Sequence, residues 1–544
     1  MATIAATQAL PPARHGGNLL DEDLALIEGL RREGAAGFED DCRAFGALAD
    51  TPGVIRDGFL ANDHPPELVR YDPDGERVDR LDFHPAWHRL MGLSVEHGIT
   101  GAPWADPRPG AHVARAVKFL MIAQAEAGIT CPLAMTYSCV PALRLAETTA
   151  GWESLVTSGI YDPAPGPAGA KRGALIGMAL TERSGGSDVQ TSTTSAERDG
   201  ADGWRVTGAK WFVSAAQSDA FFVLAQTGGG LSLLLVPRVA PDGSLNGLRF
   251  DRLKPKLGNR SNPTAEVELD NAHGVLVGDE ARGVRAIMAM IGGTRQDCVL
   301  GSTAVMRLGT AEAIHWAANR VAFGRRLVDQ PAMQAVLADL ALESEAATAG
   351  ALRLARANEA AHRGDPDEAV FARLAAPVLK YWTCKRAPQH LGEALECQGG
   401  FGYIEESRLA RAYREAPLMS VWEGSGNVQA LDVLRALGRS PDALDAVLGE
   451  VALAEGASPI LDAELAALRS ERPDPADEGG ARLLAGRLAR AIQASLLVRH
   501  APDAVADAFC ATRLGPVPGR TFGELPPGVD VGTIVERAAP GGTP

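Results

Sequence analysis

Two polar, glycine-bearing stretches hold the residue types in this chain that could do chemistry: Thr181-Glu182-Arg183-Ser184-Gly185-Gly186-Ser187-Asp188-Val189 and Ser420-Val421-Trp422-Glu423-Gly424-Ser425-Gly426-Asn427. Each crowds hydroxyls and glycines into a few positions. Glycine lets the backbone approach a ligand closely and lets consecutive N–H groups point at one acceptor. Glu423 stands between a large aromatic, Trp422, and a flexible glycine. A carboxylate kept dry in that setting can serve as a base. Either stretch alone reads as an ordinary loop. Their occurrence together, with the blocks between them, points to a built site.

The elements that must position these stretches fall into four parts. Residues 1–175 read as mostly helical: 21–32 carries Leu24, Ile27 and Leu30 at near-helical spacing, and 111–127 and 139–149 continue the pattern. A Pro- and Gly-rich loop, 163–169, follows. Residues 176–278 change to β-rich runs at 204–206, 211–213, 221–226, 231–236 and 265–269, with Gly228-Gly229-Gly230 as a hairpin turn; this reads as a small antiparallel β domain. Residues 279–438 return to helix, with apolar stripes over 284–290, 300–319, 333–358 and 369–395. Residues 439–544 form a tail that reads as helix over 481–498 and as irregular chain over 516–544. The fold class is therefore α+β.

A chain of 544 residues, 46% hydrophobic and 22% charged, has the make-up of a soluble protein of three or four domains. It has no uninterrupted apolar run of about 18 residues, so no membrane span is expected. Residues 1–18 contain no apolar run of the secretory kind, and a cytoplasmic protein is expected. Its seven cysteines are scattered without a CxxC and read as reduced, buried thiols. Histidines and cysteines lack metal-ligand spacing, so no metal is expected, and His315 and His390 read as packing or surface residues. A net charge of −15 argues against broad non-specific nucleic-acid binding, though not against a local basic patch.

Further blocks lie between and around the first two stretches in one order: Gly208-Ala209-Lys210-Trp211-Phe212-Val213-Ser214, Arg320-Val321-Ala322-Phe323-Gly324 and Gly399-Gly400-Phe401-Gly402-Tyr403. Their order and spacing resemble the acyl-CoA dehydrogenase flavoprotein superfamily. Leu257-Gly258-Asn259-Arg260-Ser261-Asn262 makes the chain more similar to the AidB-type, isovaleryl-CoA dehydrogenase-like branch associated with the response to alkylation damage. The resemblance implies that fold, with an N-terminal helical domain (1–175), a middle β domain (176–278), a C-terminal four-helix-type domain (279–438) and an AidB-type tail domain (439–544). It also implies non-covalent FAD, an acyl-CoA thioester or similar small carbon acid as substrate, electron-transfer flavoprotein as acceptor, and a homotetramer built as a dimer of dimers.

Oxidising an acyl thioester at its α,β bond needs a base for the α proton and an acceptor for the β hydride. The flavin does the redox work, and the protein places base, substrate and ring. The thioester oxygen must also receive hydrogen bonds as enolate charge develops. In the family those come from the backbone N–H of the catalytic glutamate and from a flavin hydroxyl, and Glu423 occupies the matching position. A small member group places its base near 294, where Thr294 cannot serve; neighbouring Arg295 is carried over as a substrate residue. For the cofactor, the resemblance assigns Thr181 and Ser187 as hydroxyl contacts and Gly186 as a close backbone approach. Phe212 covers the ring, with Val213 and Ser214 beside it, and Trp422, Ser425 and Asn427 flank the glutamate. Arg320, Phe323 and Gly400 match the region that reaches a neighbouring subunit's flavin, with Arg320 on the pyrophosphate. Two positions depart from the family pattern there: Gln330 falls one residue early, with Pro331 in its place, and Glu396 stands where many relatives have Gln.

Three functions stay open at this point: acyl-CoA dehydrogenase, DNA-associated flavoprotein of the alkylation response, and flavin oxidase on another carbon acid. In the tail, Arg482, Arg487, Arg490, Arg499, Arg513 and Arg520 outnumber Asp503 and Asp507 over 479–520. The branch's tail domain is thought to bind double-stranded DNA, and Arg435 and Arg513 are the best matches to its contact positions. Arginines opposite an apolar stripe (Leu484, Leu488, Ile492) equally suit a solvated helix face.

Overall fold

The computed structural model describes residues 10–542, apart from Pro441, Arg472, Val517, Pro518 and Arg520. The chain divides into two compact units. One, the β unit, comprises residues 53–111 and 125–297; the other, the helical unit, comprises residues up to 52, 112–124 and 298 onward.

In the β unit, a hairpin of β1 (Glu67–Tyr71) and β2 (Arg77–Asp82) precedes a seven-stranded sheet. Its strands are β3 (Ile176–Ala179), β4 (Ser195–Asp199), β5 (Gly203–Ser214), β6 (Ala220–Thr227), β7 (Gly230–Pro237), β8 (Leu248–Leu253) and β9 (Thr264–Leu276). Antiparallel pairing runs β4–β5–β9–β7–β6, and a bridge from Ser195 to Gln226 returns β4 to β6, so the sheet closes on itself. Closure fills the interior with the inward residues of every strand, among them Val206, Phe221, Val223, Leu234, Phe250 and Val267. The glycines at 228–230 do turn β6 into β7, as expected. Two pairings differ from the antiparallel expectation: β3, and β4 at its single bridge, run parallel to β6, because other strands intervene in the chain and no hairpin dictates direction. The β1–β2 hairpin lies within a region read as helical. Its strands are short and rich in charge, and only Leu68 and Leu81 lean on the sheet core.

The stripes read as separate segments at 284–290 and 300–319 form one 37-residue helix, Gly283–Asn319. Gly293 sits inside it because a Cβ there would lie 2.5 Å from Ser138 Oγ. By contrast, the segment 139–149 is only a short helix, Val140–Leu143, and a 3-10 turn, Glu147–Thr149.

In the helical unit the long helices Pro331–His362 and Pro366–Cys397 are joined by a tight turn. Gly364 has φ +93°, and the Asp365 side chain caps the second helix by accepting from the N–H of Asp367 and Glu368. Leu337, Leu340, Leu374, Leu379 and Leu391 are fully buried along the pair. The tail belongs to the same unit. Its Ala481–His500 helix packs on both long helices and on Gly426–Arg439. Part of the stretch read as irregular is also helix, Val531–Ala538, capped by Asp530 and packed on Pro331–His362.

Buried ion pairs fasten the tail. Arg513 pairs with Asp339 (2.5 Å) and Glu343 (2.9 Å), and Glu343 also takes Arg386 at 3.2 Å. Burial works against ionising Glu343, yet the two guanidiniums hold it down to about 2. This corrects the reading of Arg513 as a DNA contact: its charge is spent inside the protein, where phosphate cannot reach it. Arg513→Ala strands the buried Asp339 and takes from Glu343 one of its two guanidiniums, and is expected to cost roughly 3–5 kcal/mol. The exposed control Arg482→Ala is expected to stay within about 0.5 kcal/mol. Chemical denaturation of the two variants beside the parent protein measures both.

Candidate functional site

The first glycine-bearing stretch folds over β5 in the β unit. Its start is tied to the sheet where Trp211 donates its N–H to Thr181 O at 2.8 Å. Beneath it lies a buried ion pair that the sequence reading passed over. Lys210 Nζ donates to Glu182 Oε1 and to Leu224 O, both at 2.9 Å. Glu182 further accepts from the N–H and hydroxyl of Thr193 and of Thr194, at 2.7–3.0 Å. Burial alone would raise its pKa, but these donors hold it down to about 2. Burial also pushes Lys210 below the ordinary lysine value, against the pull of Glu182. With its root fixed, residues 183–188 stand exposed. Gly185 has φ +137°, and a Cβ on Gly186 would come within 2.5 Å of Thr181 Oγ1, so only glycine permits this turn.

A β-bulge between Lys210 and Val213 flips the inward parity of β5. Lys210 and Val213 therefore both face the interior, and Phe212 is turned out, half exposed at 50%. Trp211 lies beneath cations: Lys254 Nζ is 3.2 Å from its ring centre and Arg183 Cζ 4.6 Å. Ser214 Oγ and Thr264 Oγ1 share a hydrogen bond at 3.1 Å, and the 257–262 block supports the next residue, with Asn262 Oδ1 accepting from Ala215 N at 3.1 Å. Asn259 in that block is wholly buried, has φ +51°, and bonds neither amide atom within the protein. Arg295 is buried on the Gly283–Asn319 helix beside Thr294.

The second stretch lies in the helical unit, as do the remaining candidates. Glu423 is half-buried with φ +55°, and Gly424 follows at +96°. A non-glycine residue in the left-handed region is strained, and such strain gathers at functional sites. The loop is gripped from below. Lys380, almost fully buried, donates to the carbonyls of Met419 (3.1 Å), Trp422 (2.9 Å) and Gly424 (2.9 Å). Gln429 Nε2 donates to those of Glu423 (2.8 Å) and Gly424 (3.0 Å). Trp422 packs on Cys298, Cys384 and Met419, leaving its indole N–H buried without a protein acceptor. Ser425 is the N-cap of Gly426–Arg439 but spends no side-chain hydrogen bond on the cap, and Asn427 is exposed in the first turn.

Arg320 is half-buried and leads into a two-residue hairpin of β10 (Val321–Ala322) and β11 (Arg325–Arg326). Phe323 and Gly324 form its turn at φ +53° and +78°, and Phe323 is 97% exposed. Gln330, the displaced glutamine, instead donates to Ala322 O at 3.0 Å and braces that hairpin. Gly400 is exposed in a 3-10 turn, Gly399–Tyr403, beside the stacked pair Trp316 and Phe401. Arg435 is exposed, in a groove of about 280 Å³ with Arg439, Leu431, Leu434 and Pro475.

The donor set suits the FAD that the sequence resemblance implies. In the β unit, hydroxyls at Thr181, Ser187 and Ser214 suit the polar edge of an isoalloxazine ring, an outward Phe212 offers a flat face, and the Gly186 turn admits close backbone approach. The Arg320 guanidinium has no carboxylate partner among the described residues, which suits it to phosphate oxygens. No group of three or more His, Cys, Asp or Glu that could hold a metal occurs among the described residues. All seven cysteines are buried, and none forms a disulfide.

Three family descriptions match the chain: the adaptive response protein AidB N-terminal domain at residues 10–163, the acyl-CoA dehydrogenase middle domain at 177–272, and the acyl-CoA dehydrogenase C-terminal domain at 281–438. The chain is 44% identical to the AidB protein of Escherichia coli (strain K12) over 507 residues, 93% of each chain. It is 34% identical to acyl-CoA dehydrogenase family member 11 of Caenorhabditis elegans over 391 residues, covering 68% of this chain and 62% of the relative. Its fold superposes on the crystal structure of C. elegans ACDH-11 in complex with C11-CoA with a TM-score of 0.84 at 26% identity, covering 99% of this chain and 93% of the other.

Because Glu182 is held below its ordinary value, the stability it contributes is full above pH 4.5 and is lost as pH falls from there toward about 2. Glu182→Gln is expected to flatten the pH dependence of stability in that window. Denaturation midpoints measured from pH 6 down to about pH 3 check this, and an unaltered slope in the variant contradicts it.

Proposed function

Because the chain belongs to the AidB-type branch of the acyl-CoA dehydrogenase family, a family of oxidoreductases, we propose that it oxidises an acyl-CoA thioester at its α,β bond, with FAD as cofactor and Glu423 as base. The observation that carries this reading is the Glu423 backbone, kept in a strained left-handed conformation by buried donors. When bound, FAD supplies the two-electron oxidation by taking the hydride from the substrate β carbon. Thr181, Ser187 and Ser214 would hold its polar edge and phosphates, and the resemblance adds Ser425 and Asn427 of the second stretch as further polar contacts. Gly186 would give it close approach and Phe212 would cover its ring, with the backbone of Val213 beside it; Trp422 flanks Glu423 in the second stretch. The Glu423 carboxylate takes the α proton, and its N–H donates to the thioester oxygen. Arg295 serves the substrate side.

C. elegans ACDH-11 was solved with C11-CoA, which supports an acyl-CoA substrate here too. The resemblance points to a shorter or branched acyl chain, so a panel of chain lengths decides the preference. Electron-transfer flavoprotein is the proposed acceptor; the alternative, an oxidase, differs in the access of oxygen to the ring. We read the protein as a homotetramer. Phe323 at 97% and Tyr403 at 82% exposure are large apolar groups with nothing to cover them in one chain, and Arg320, Phe323 and Gly400 suit the flavin of a second subunit. Duplex DNA is the less favoured partner. Arg487 is spent on Glu464 and Glu471, Arg499 on Glu450, and Arg513 on Asp339 and Glu343. Arg435 remains exposed, while Arg520 lies outside the described residues.

Glu423→Gln keeps the size and the backbone donor but removes the base. Acyl-CoA-dependent bleaching of the flavin is expected to slow about 10²–10⁴-fold with FAD content unchanged. Rapid-mixing absorbance under anaerobic conditions measures it, and reduction at the parent rate moves the base elsewhere.

A further inference from the structure

A buried ammonium needs acceptors for three N–H groups and compensation for one charge. Lys380 meets the first need with the carbonyls of Met419, Trp422 and Gly424. For the second it has no carboxylate within ion-pair distance among the described residues. Two other buried cations, Lys210 and Arg513, are each paired with an acid. This one is spent on a single short loop, the one that carries Glu423.

The direction of those bonds has a consequence for the opposite side of the loop. No peptide bond among the described residues is cis, and in a trans peptide the C=O and the following N–H point in opposite directions. Drawing Trp422 O toward Lys380 turns the N–H of Glu423 away from it. Drawing Gly424 O the same way turns out the N–H of Ser425. Gln429 draws in Glu423 O and so turns out the N–H of Gly424. Among the described residues no acceptor takes the N–H of Gly424 or of Ser425. Consecutive backbone N–H groups turned to one side through left-handed residues make a concavity for an anion.

We propose that Lys380, seconded by Gln429, is the positioning residue of this loop: by gripping its carbonyls it holds Glu423 in the left-handed conformation and presents the outward loop N–H groups to the oxygen of a thioester that becomes an enolate. The unpaired ammonium, one peptide plane behind those N–H groups, adds positive potential where negative charge develops. Met419 O serves a separate end. It ties the same ammonium to the preceding turn, so that the loop cannot swing about the lysine. The inference rests on the acyl-CoA dehydrogenase reading for the identity of the anion, but not for the grip itself.

The test compares FAD-loaded parent protein with Lys380→Met, which keeps the length and removes the donors, and Lys380→Arg, which keeps charge and donors. Hydrogen–deuterium exchange of peptides covering 418–428 reads the grip without any substrate. At least tenfold faster exchange there is expected in Lys380→Met, with peptides of the β unit unchanged and Lys380→Arg close to the parent. Parent-like exchange in Lys380→Met overturns the proposal. Anaerobic flavin reduction by acyl-CoA reads the anion site. The limiting rate is expected to fall about a hundredfold in Lys380→Met while acyl-CoA affinity changes less than threefold, with Lys380→Arg recovering most of the rate. An unaltered limiting rate, or a loss confined to affinity, overturns the oxyanion role. If the parent protein itself is reduced by no acyl-CoA, the dehydrogenase reading fails, and the exchange result alone still decides whether Lys380 holds the loop.

Discussion

An irregular loop that must stay rigid and keep its N–H groups outward has to have its carbonyls satisfied from below, where no water is available. In this protein a buried lysine lies beneath each chemistry-bearing loop, and Lys380 meets that requirement directly. Lys210 fixes the root of the 181–189 stretch through Glu182 and Leu224 O, and Lys380 fixes the Glu423 stretch through three carbonyls. Lysine suits the task because three donors on one flexible stem can converge on acceptors that are not coplanar, which the flat guanidinium of arginine does less well. The closed sheet and the long helices then serve as rigid mounts for the two ammonium groups. Lys210 rises from the interior face of β5, and Lys380 from the middle of Pro366–Cys397.

The two lysines also differ in a way that matches their surroundings. Lys210 is neutralised by a carboxylate, so the loop above it meets a ligand with hydroxyls and glycine backbone rather than with net charge. Lys380 is balanced only by carbonyl dipoles, and its loop keeps a net positive charge underneath. A neutral ring edge suits the first arrangement. A forming enolate suits the second.

The chemistry-bearing stretches were legible in the sequence because glycine, hydroxyl and carboxylate types cluster there regardless of folding. The long helices were legible from their apolar period, and the hairpin at 228–230 from its glycines. What escaped was set by tertiary partners. Lys210 shares the inward face of β5 with Trp204 and Val206, and a charge at such a position calls for an internal counter-ion; that alternation was the available signal. Lys380 gives no such signal, since its acceptors lie about forty residues later in a loop without regular geometry. The tail arginines were misjudged for a related reason. A helix face of arginines looks solvated until the acids opposite it, Asp339, Glu343, Glu450 and Glu464, are known to be there.

Those same pairs order events in time as well as in space. The β unit ends at residue 297, whereas Asp339, Glu345 and Glu28 find their ion-pair partners at Arg513 and Arg537, near the last helix. As the chain leaves the ribosome the β unit has all of its sequence in hand while the helical unit waits for its final tens of residues, with buried-to-be carboxylates still in water. Until then they repel the compact state rather than support it. The ion pairs that fasten the tail to the helical unit therefore close last, once Arg513 and Arg537 have emerged.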